Sequence, residues 1–310
     1  MRVVSLLPSA TEMVAFLGLA GNLVGRSHEC DFPAAVRRVP SLTASKVERG
    51  LGSAKIEERV QEIIRQGLSV YEVDASLLRN LAPDIILTQS QCAVCAVTPG
   101  DLEQALGAWT GQAPRLLSLA PASLGEVWHD LLQVGNVLGA QAEALRKLAG
   151  LQDRMEELRR RTAAIGKRPK LAAIEWIEPL MVAGNWVPEL VEIAGGTSLL
   201  ARSGEHSPWI DWEVLEASDP DLILIIPCGF SIERSLVDLE RLQDRPAWQK
   251  LRAVREGKFF IADGRQFFSR PGPRLVESAE TLAEILHPSI FDFGHRGRSW
   301  IKAGGPGCNA

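Results

Sequence analysis

The chain has 310 residues, of which 46% are hydrophobic and 23% are charged, and its net charge is −4. These values are typical of a soluble globular protein of about two domains, which excludes disordered and fibrous classes. The weak acidity argues against a nucleic-acid partner or an anionic membrane surface. Eight Trp accompany a single Tyr, and because indole rings are costly to expose, we expect several of them to line a binding site.

The first residues predict a strand, not a targeting segment. Residues 3–7 form a short apolar run that Pro8 closes, without the long apolar stretch or the small-residue cleavage site of a secretory signal. No apolar stretch reaches the roughly 18 residues that a membrane-spanning helix needs. We therefore expect a cytoplasmic chain that is not membrane-embedded, or a periplasmic one if a leader has been removed.

Strands and helices then alternate along the first part of the chain. Ser9 is predicted to be the N-cap of a helix, with Glu12 as its capping-box partner. Further strands are predicted at 23–25, 69–73, 85–88 and 115–119, and further helices at 56–65 and 75–81. This order is typical of an α/β domain with a parallel sheet.

A long stretch with helical periodicity comes next, at 124–165, and it contains no proline. Its second half is highly charged, which is typical of a solvated helix face. The sequence thus predicts an N-terminal lobe at 1–135, a linking helix at 136–167, a C-terminal lobe at 168–288 and a loosely ordered tail at 289–310.

The second lobe repeats the pattern of the first. The run Pro220-Asp221-Leu222-Ile223-Leu224 mirrors Pro83-Asp84-Ile85-Ile86-Leu87, and a predicted helix precedes each run. The predicted strands are 170–175, 181–183, 222–226 and 258–261, and the predicted helices are 188–193, 212–217, 248–254 and 275–286. The repetition indicates two similar α/β lobes.

Two loops carry residues that can bind metal. One is Ser27-His28-Glu29-Cys30-Asp31, and the other is the Cys-x-x-Cys loop that contains Cys92 and Cys95. His28, Cys30, Cys92 and Cys95 are candidate ligands of zinc or a similar ion, and the two cysteines of the second loop are also a candidate redox pair. The structural alternative is that Cys92 and Cys95 are small buried side chains. The standard enzyme signatures are absent, so we expect no enzyme.

Aromatic residues of the second half lie mostly next to predicted strand ends or Pro/Gly loops. They are Trp176, Trp186, Trp209, Phe230, Phe267 and Phe268. Ligands of open α/β sheets bind beyond the carboxyl ends of the strands, where such rings would suit a large, flat, partly apolar ligand. Trp212 and Trp248 lie on predicted helices, and we expect them to be in the core.

The chain resembles a known family at several of these segments. They are residues 4–12, 24–33, 83–87, 188–196, 220–224, 245–248 and 257–260. The family is the class III substrate-binding proteins, which serve ABC importers of vitamin B12, iron siderophores and haem, and the likeness is strongest to the cobalamin-binding subgroup. It implies two Rossmann-like lobes bridged by a single long helix, with the ligand clamped in the cleft.

Carried over by position, the resemblance implies a set of ligand-binding residues. From lobe one they are Pro8, Ser9, His28, Asp31, Phe32, Gln91 and Cys92; from lobe two they are Trp176, Trp186, Trp209, Phe230, Phe267 and Phe268. His28 would approach the metal of the ligand as an axial base. Importer-docking members carry a carboxylate on each lobe; Glu213 falls near that position in lobe two, whereas lobe one offers Ser76.

The function that these observations predict is binding of cobalamin or another corrinoid, with no cofactor required and with an ABC permease as a candidate partner. One alternative is a metal-dependent or thiol-redox protein built on Cys92, Cys95, His28 and Cys30. Another is iron-siderophore or haem binding on the same fold, although those clefts usually carry Arg or Tyr, and Tyr71 is the only tyrosine.

Overall fold

The computed structural model describes residues 1–48, 50–66, 69–90, 102 and 113–304. The chain divides into unit 1 (Met1–Leu51, Lys55–Pro121 and Gly125–Ala149) and unit 2 (Gly52–Ala54, Ala122–Leu124 and Gly150–Ala310). Each unit has its own mostly parallel sheet with helices, so the predicted α/β class with two lobes is confirmed. Within the described ranges, no helix is both long enough and apolar enough to span a membrane.

The sheet of unit 1 is parallel throughout. The strands of this unit are β1 (Val3–Ser5), β2 (Leu23–Arg26), β3 (Thr43–Ser45), β4 (Tyr71–Val73), β5 (Ile85–Gln89) and β6 (Arg115–Leu119). The order in the sheet is β2-β1-β5-β6, and β3 and β4 form a separate antiparallel pair. Helices α1 (Pro8–Phe16), α2 (Ser53–Arg65), α3 (Ala75–Leu81) and α4 (Leu124–Val137) complete this part of the chain.

Helix α1 begins two residues earlier than predicted. Leu7 occupies the N-cap position without a side-chain hydrogen bond, and Pro8 is the first helical residue. The expected capping box of Ser9 and Glu12 is therefore wrong. Proline suits this position because its fixed φ is helical and its missing N–H would have had no partner there.

The helical stretch 124–165 forms two helices, and the second of them is a single long helix within the predicted range 136–167. Helix α4 ends at Val137, and α5 spans Gln141–Ala163. Gly139 has a φ of +73°, and the Ala140 N–H donates to the Gly135 carbonyl at 2.7 Å. A glycine in the left-handed region is the usual end of a helix. The division between the two units falls inside α5, at Gly150.

The sheet of unit 2 is mixed. Its strands are β7 (Lys170–Trp176), β8 (Met181–Val182), β9 (Thr197–Ser198), β10 (Leu222–Ile225), β11 (Phe259–Ala262) and β12 (Trp300–Lys302). The order is β12-β11-β10-β7-β8, and β9 also pairs with β7. β7, β10 and β11 run parallel, while β8 and β12 are antiparallel to their neighbours.

Helices pack around this sheet over an apolar core. They are α6 (Val187–Ile193), α7 (Trp212–Ser218), α8 (Ile232–Gln243), α9 (Pro246–Lys250), α10 (Arg252–Arg255) and α11 (Leu275–Leu286). The predicted helix 248–254 is two short helices, because Leu251 is extended. Trp248 is buried in the core, as expected, and partly buried Trp212 packs edge-on against it with 6.4 Å between ring centroids.

The repeated Pro-Asp segments form the same turn in both units. Helices α3 and α7 end on left-handed residues, Ala82 and Asp219, with φ of 41° and 42°. In unit 1 the Asp84 carboxylate accepts from the Arg2 backbone N–H at 2.6 Å. In unit 2 the Asp221 carboxylate accepts from the Lys170 backbone N–H at 2.9 Å. Each carboxylate thus joins the start of one strand to the start of its neighbour in the sheet.

The expectation of a loosely ordered tail is wrong for residues 289–304. Strand β12 pairs with β11 along this segment, and Trp300 is buried. The buried Glu284 carboxylate of α11 accepts from the Trp300 indole at 2.6 Å and from the His295 backbone N–H at 3.1 Å. These charge-assisted hydrogen bonds hold a segment whose glycines and basic residues suggested little order.

Candidate ligand-binding site

A recess opens at the carboxyl edge of the unit 2 sheet, where parallel strands β7 and β10 end. It is shallow, because the space that it encloses is about 10 Å³, roughly that of one water molecule. The residues that line it are Glu175, Ala183, Gly184, Asn185, Trp186, Val187, Ile226, Phe268 and Ser269. This edge is where ligands of open α/β sheets bind.

The Glu175 carboxylate is held in place by a hydroxyl. The buried Ser207 hydroxyl accepts from the Gly184 backbone N–H at 3.0 Å and donates to Glu175 Oε2. A Cβ on Gly184 would lie 2.6 Å from the Glu205 carbonyl oxygen and 2.8 Å from the Ser207 nitrogen. Only glycine allows this close approach, so residue 184 helps to bring Ser207 to Glu175.

The opposite wall is aromatic and closely packed. The Trp186 indole N–H donates to the Phe268 carbonyl at 2.9 Å, and both side chains are buried. Phe268 belongs to a π-helical turn, Gly264–Phe268, which starts at a Gly264 in close contact with the end of β10. A Cβ at 264 would lie 2.2 Å from the Pro227 carbonyl oxygen. The position of this wall therefore depends on a glycine as well.

The other predicted aromatic residues of unit 2 divide into buried and exposed. Trp176 packs edge-on against Phe230 at 5.4 Å between ring centroids, and Phe267 is also buried. The buried Trp176 indole nitrogen has no hydrogen-bond partner among the described residues. Trp209 differs, because 51% of its surface is exposed. It is therefore the ring of this set with the most surface for a ligand to cover.

A charged cluster next to the recess was missed by the sequence reasoning. The Asp263 carboxylate accepts from the Gln266 backbone N–H at 2.7 Å. Burial raises its pKa, and the Gln266 N–H and the charges of Arg265, Arg270 and Arg274 partly offset that rise. The Arg274 guanidinium lies over the Phe267 ring, 5.1 Å from its centroid. The only sequence signal was the position of these residues, directly after a buried strand.

His28 and Cys30 of unit 1 take part in hydrogen bonds that stabilise the fold. His28 Nδ1 lies 2.7 Å from the Thr43 hydroxyl, and its Nε2 lies 3.2 Å from a Glu29 carboxylate oxygen, without hydrogen-bond geometry. Cys30 is buried, and its sulfur accepts from the Thr11 hydroxyl at 3.0 Å. Among the described residues there is no group of three or more His, Cys, Asp or Glu that could hold a metal ion.

The remaining unit 1 residues that were predicted to bind ligand or metal lie in helix α1, in the loop after β2, or outside the described residues. Pro8 and the buried Ser9 form the first turn of α1. Phe32 is 39% exposed and precedes Pro33 through a cis peptide bond. Asp31 Oδ2 is 4.0 Å from the Arg37 guanidinium. Gln91, Cys92 and Cys95 lie outside the described residues, so their predicted roles stay predictions.

The two predicted docking positions lie in the first turns of helices. Glu213 is exposed in the first turn of α7. Ser76 is exposed in the first turn of α3, where its hydroxyl donates to the Asp74 carboxylate at 2.7 Å. That carboxylate is the N-cap of α3 and also accepts from the Leu77 N–H at 2.9 Å. Unit 1 thus has an exposed carboxylate two residues before the serine.

Comparison with known proteins assigns the family. A family model described as periplasmic binding protein matches residues 3–265, so the chain belongs to that family. An uncharacterized ABC transporter substrate-binding lipoprotein of Bacillus subtilis is 21% identical over 299 residues, which cover 94% of this chain and 81% of that one. The vitamin B12-binding protein of Photorhabdus laumondii is 22% identical over 289 residues, with 93% and 88% covered.

Solved structures share the fold. A periplasmic heme binding protein from Pseudomonas aeruginosa superposes with a TM-score of 0.70 at 22% identity, and the match covers 93% of each chain. The predicted class III binding-protein fold is confirmed by this likeness.

Proposed function

We propose that this chain is the substrate-binding protein of an ABC importer and that its ligand is cobalamin or a related corrinoid. The observation that carries the proposal is the carboxyl edge of the unit 2 sheet, where the aromatic side chains of Trp186 and Phe268 lie beside the carboxylate of Glu175. A corrinoid has a broad ring with amide side chains, so it needs apolar area and hydrogen-bond acceptors together.

Family membership supports a binding role, and the names of two relatives support this ligand and partner. One relative is a vitamin B12-binding protein, and the other is a substrate-binding lipoprotein of an ABC transporter. A lipoprotein and a periplasmic protein among the matches also support the periplasmic alternative for its location.

Titration of the purified protein with cyanocobalamin and hydroxocobalamin tests the proposal. Calorimetry and the absorption spectrum of the corrinoid report binding, and we expect saturation near one ligand per chain. The absence of both heat and spectral change at micromolar protein would contradict the proposal.

Trp209→Ala tests the predicted contact, because this ring is half exposed and its loss removes little packing. We expect at least tenfold weaker binding of cobalamin, since a flat ring that covers the ligand would be lost. Ile290→Ala removes an apolar side chain of equal exposure, 51%, from the same unit and serves as the matched control. Equal affinities of the two variants for cobalamin would show that Trp209 does not contact the ligand.

Haem is the second candidate ligand, and the cluster of Arg265, Arg270 and Arg274 favours it. Guanidinium groups suit the carboxylates of haem propionates. Competition between haemin and cyanocobalamin decides between the two: displacement of bound corrinoid only by a large excess of haemin supports the corrinoid proposal, and the reverse supports haem.

A further inference from the structure

The loop between β2 and β3 is closed at its base by the backbone of Arg26. The Arg26 N–H donates to the Pro40 carbonyl at 3.0 Å, and the Leu42 N–H donates to the Arg26 carbonyl at 2.8 Å. Residues 27–41 therefore leave unit 1's sheet and return to it at one point. A loop whose ends are joined in this way is an Ω-loop, a compact kind of loop that often has a function.

The Arg26 side chain connects the two arms of this loop. Its guanidinium donates to the Ser27 carbonyl at 2.9 Å on one arm, and to the Val39 and Arg37 carbonyls at 3.0 and 3.3 Å on the other. The guanidinium presents its N–H groups in a rigid planar fork, which the ammonium of a lysine cannot reproduce. One side chain thus fixes both arms, in addition to the backbone hydrogen bonds at the base.

The loop carries an exposed aromatic ring. Phe32 is 39% exposed, whereas the other described aromatic side chains of unit 1 are buried or half-buried. It follows β2 at the carboxyl edge of a parallel sheet, where ligands of open α/β sheets bind. The short helical turn Ala34–Arg38 comes next, and Val36 within it is buried. The loop is thus anchored close to the exposed ring.

We propose that Arg26 is a positioning residue, which holds the loop 27–41 in one conformation so that Phe32 is already placed to pack on the ligand. The inference rests on the proposed corrinoid function and deepens it, because it assigns a contact with the flat ring of that ligand to unit 1. A loop that is ordered before binding spares the ligand the cost of ordering it. If the loop had its binding conformation only about a tenth of the time, the apparent affinity would fall about tenfold.

Hydrogen exchange in two arginine variants of the same loop tests the first step. Arg26→Lys keeps the charge but not the three hydrogen bonds, and Arg38→Lys makes the same change at an exposed position. The Val36 and Val39 amides donate to carbonyls within the loop, so without ligand they should exchange at least about tenfold faster in Arg26→Lys. Arg38→Lys should exchange like the wild type, and the amides of β1 and β5 should be unchanged in both variants. Equal exchange in the two variants overturns the inference.

A double-mutant cycle tests whether Arg26 acts through Phe32. We expect cyanocobalamin to bind roughly five- to tenfold more weakly to Arg26→Lys, and as in the wild type to Arg38→Lys. Phe32→Ala should weaken binding at least about tenfold. Arg26→Lys should then add less than about a twofold loss, because the ring whose position it controls is absent. A merely structural role of Arg26 predicts the same loss with and without the ring.

The wild type offers a check that needs no variant. Its Val36 and Val39 amides should be protected from exchange before any ligand is added, and protection that appears only with cyanocobalamin would overturn the inference. Unchanged binding by Phe32→Ala, or a fully additive double variant, would overturn it as well and leave the proposed function intact. No binding of cyanocobalamin by the wild type would instead overturn the proposed function, and this inference with it. Circular dichroism and unfolding curves show whether each variant is folded.

Discussion

The turn before β5 in unit 1 and the turn before β10 in unit 2 take the same backbone path but are held by different side chains. In unit 1 the left-handed residue is Ala82, whose side chain forms no ion pair. In unit 2 it is Asp219, and the Arg252 guanidinium contacts both Asp219 and Asp221, at 2.8 and 3.1 Å. The Pro-Asp pattern therefore determines the path of the backbone. In unit 2, Arg252, on a helix about 30 residues further along, adds ion pairs to the turn.

The same contrast extends to the residues at the carboxyl end of each first strand. The first unit places hydroxyl groups and a buried thiol near the end of β1, through Ser5, Thr11 and Cys30. The second places Glu175 and aromatic rings at the end of β7. A shared scaffold thus supports two different surfaces, because loops after parallel strands change chemistry without changing the sheet.

The largest expected effect comes from the glycine that supports the unit 2 recess. Gly264→Ala should reduce the free energy of unfolding by about 3 kcal/mol, since the new Cβ would meet backbone oxygens that cannot move aside. Gly21→Ala in unit 1 is the matched control, because nothing lies within 4 Å of its added Cβ. Denaturant unfolding measures the stability of both variants. Equal stabilities would show that the backbone around residue 264 can shift to accept a Cβ.

A buried acid of unit 1 should make stability depend on pH. Burial raises the pKa of Asp130 to about 7, and the nearby Glu126 charge contributes in the same direction. The folded state then keeps a proton that the unfolded state loses near pH 4, so stability falls as pH rises from about 4 to about 7 and then levels off.

Asp130→Asn should remove this dependence. The free energy of unfolding of the variant, relative to that of the wild type, should rise by roughly 2 to 3 kcal/mol from pH 5 to pH 8 in urea unfolding. Asp153→Asn, at an exposed position of α5, should show no such gain. Parallel pH profiles for wild type and Asp130→Asn would mean that Asp130 is ionised in the folded protein.

The smallest effect concerns the two turn aspartates. Asp84→Ala should cost about 1 kcal/mol through the lost hydrogen bond to the Arg2 N–H, and Asp221→Ala should cost more, because it also breaks the contact with Arg252. The Lys170 N–H and then Arg252 hold the pKa of Asp221 below its usual range. Its contribution is therefore present above about pH 4 and is lost as the pH falls through the lowered pKa.

Thermal unfolding at pH 7 and pH 3 measures this difference. Asp221→Asn keeps an oxygen acceptor without the charge, so it should lose the pH dependence while keeping part of the stability. A larger loss of stability for Asp84→Ala than for Asp221→Ala would show that the ion pair with Arg252 does not stabilise the turn.

Much of the fold could be predicted because its signals are local. The repeated Pro-Asp turns and the amphipathic helix α11 appear at the predicted places. Helix α8 was missed although its signal is present: the Ser231 hydroxyl caps it, and Ile232, Leu239 and Leu242 recur at helical spacing. The break between α4 and α5 was missed because a glycine inside a periodic stretch can either weaken a helix or end it, and only the backbone shows which.

The site was less predictable. Two of the predicted aromatic residues, Trp186 and Phe268, line the recess, and large rings next to loops are visible in the sequence. The pair of Glu175 and Ser207 was not, because 32 residues separate them and only the packing of Gly184 on the 205–207 segment brings them together. Contacts of that kind depend on tertiary structure that no short pattern encodes.

Strand β12 has a consequence for the solubility of the protein. It covers the side of β11 that faces away from β10, so the backbone groups there are paired within the chain. Without it, β11 would be an open sheet edge of apolar residues, which is a template for strands of other molecules. The edge that remains is β12 itself, a strand of only three residues that ends in Lys302, and a short edge strand with a charged residue is a poorer template than β11 would be.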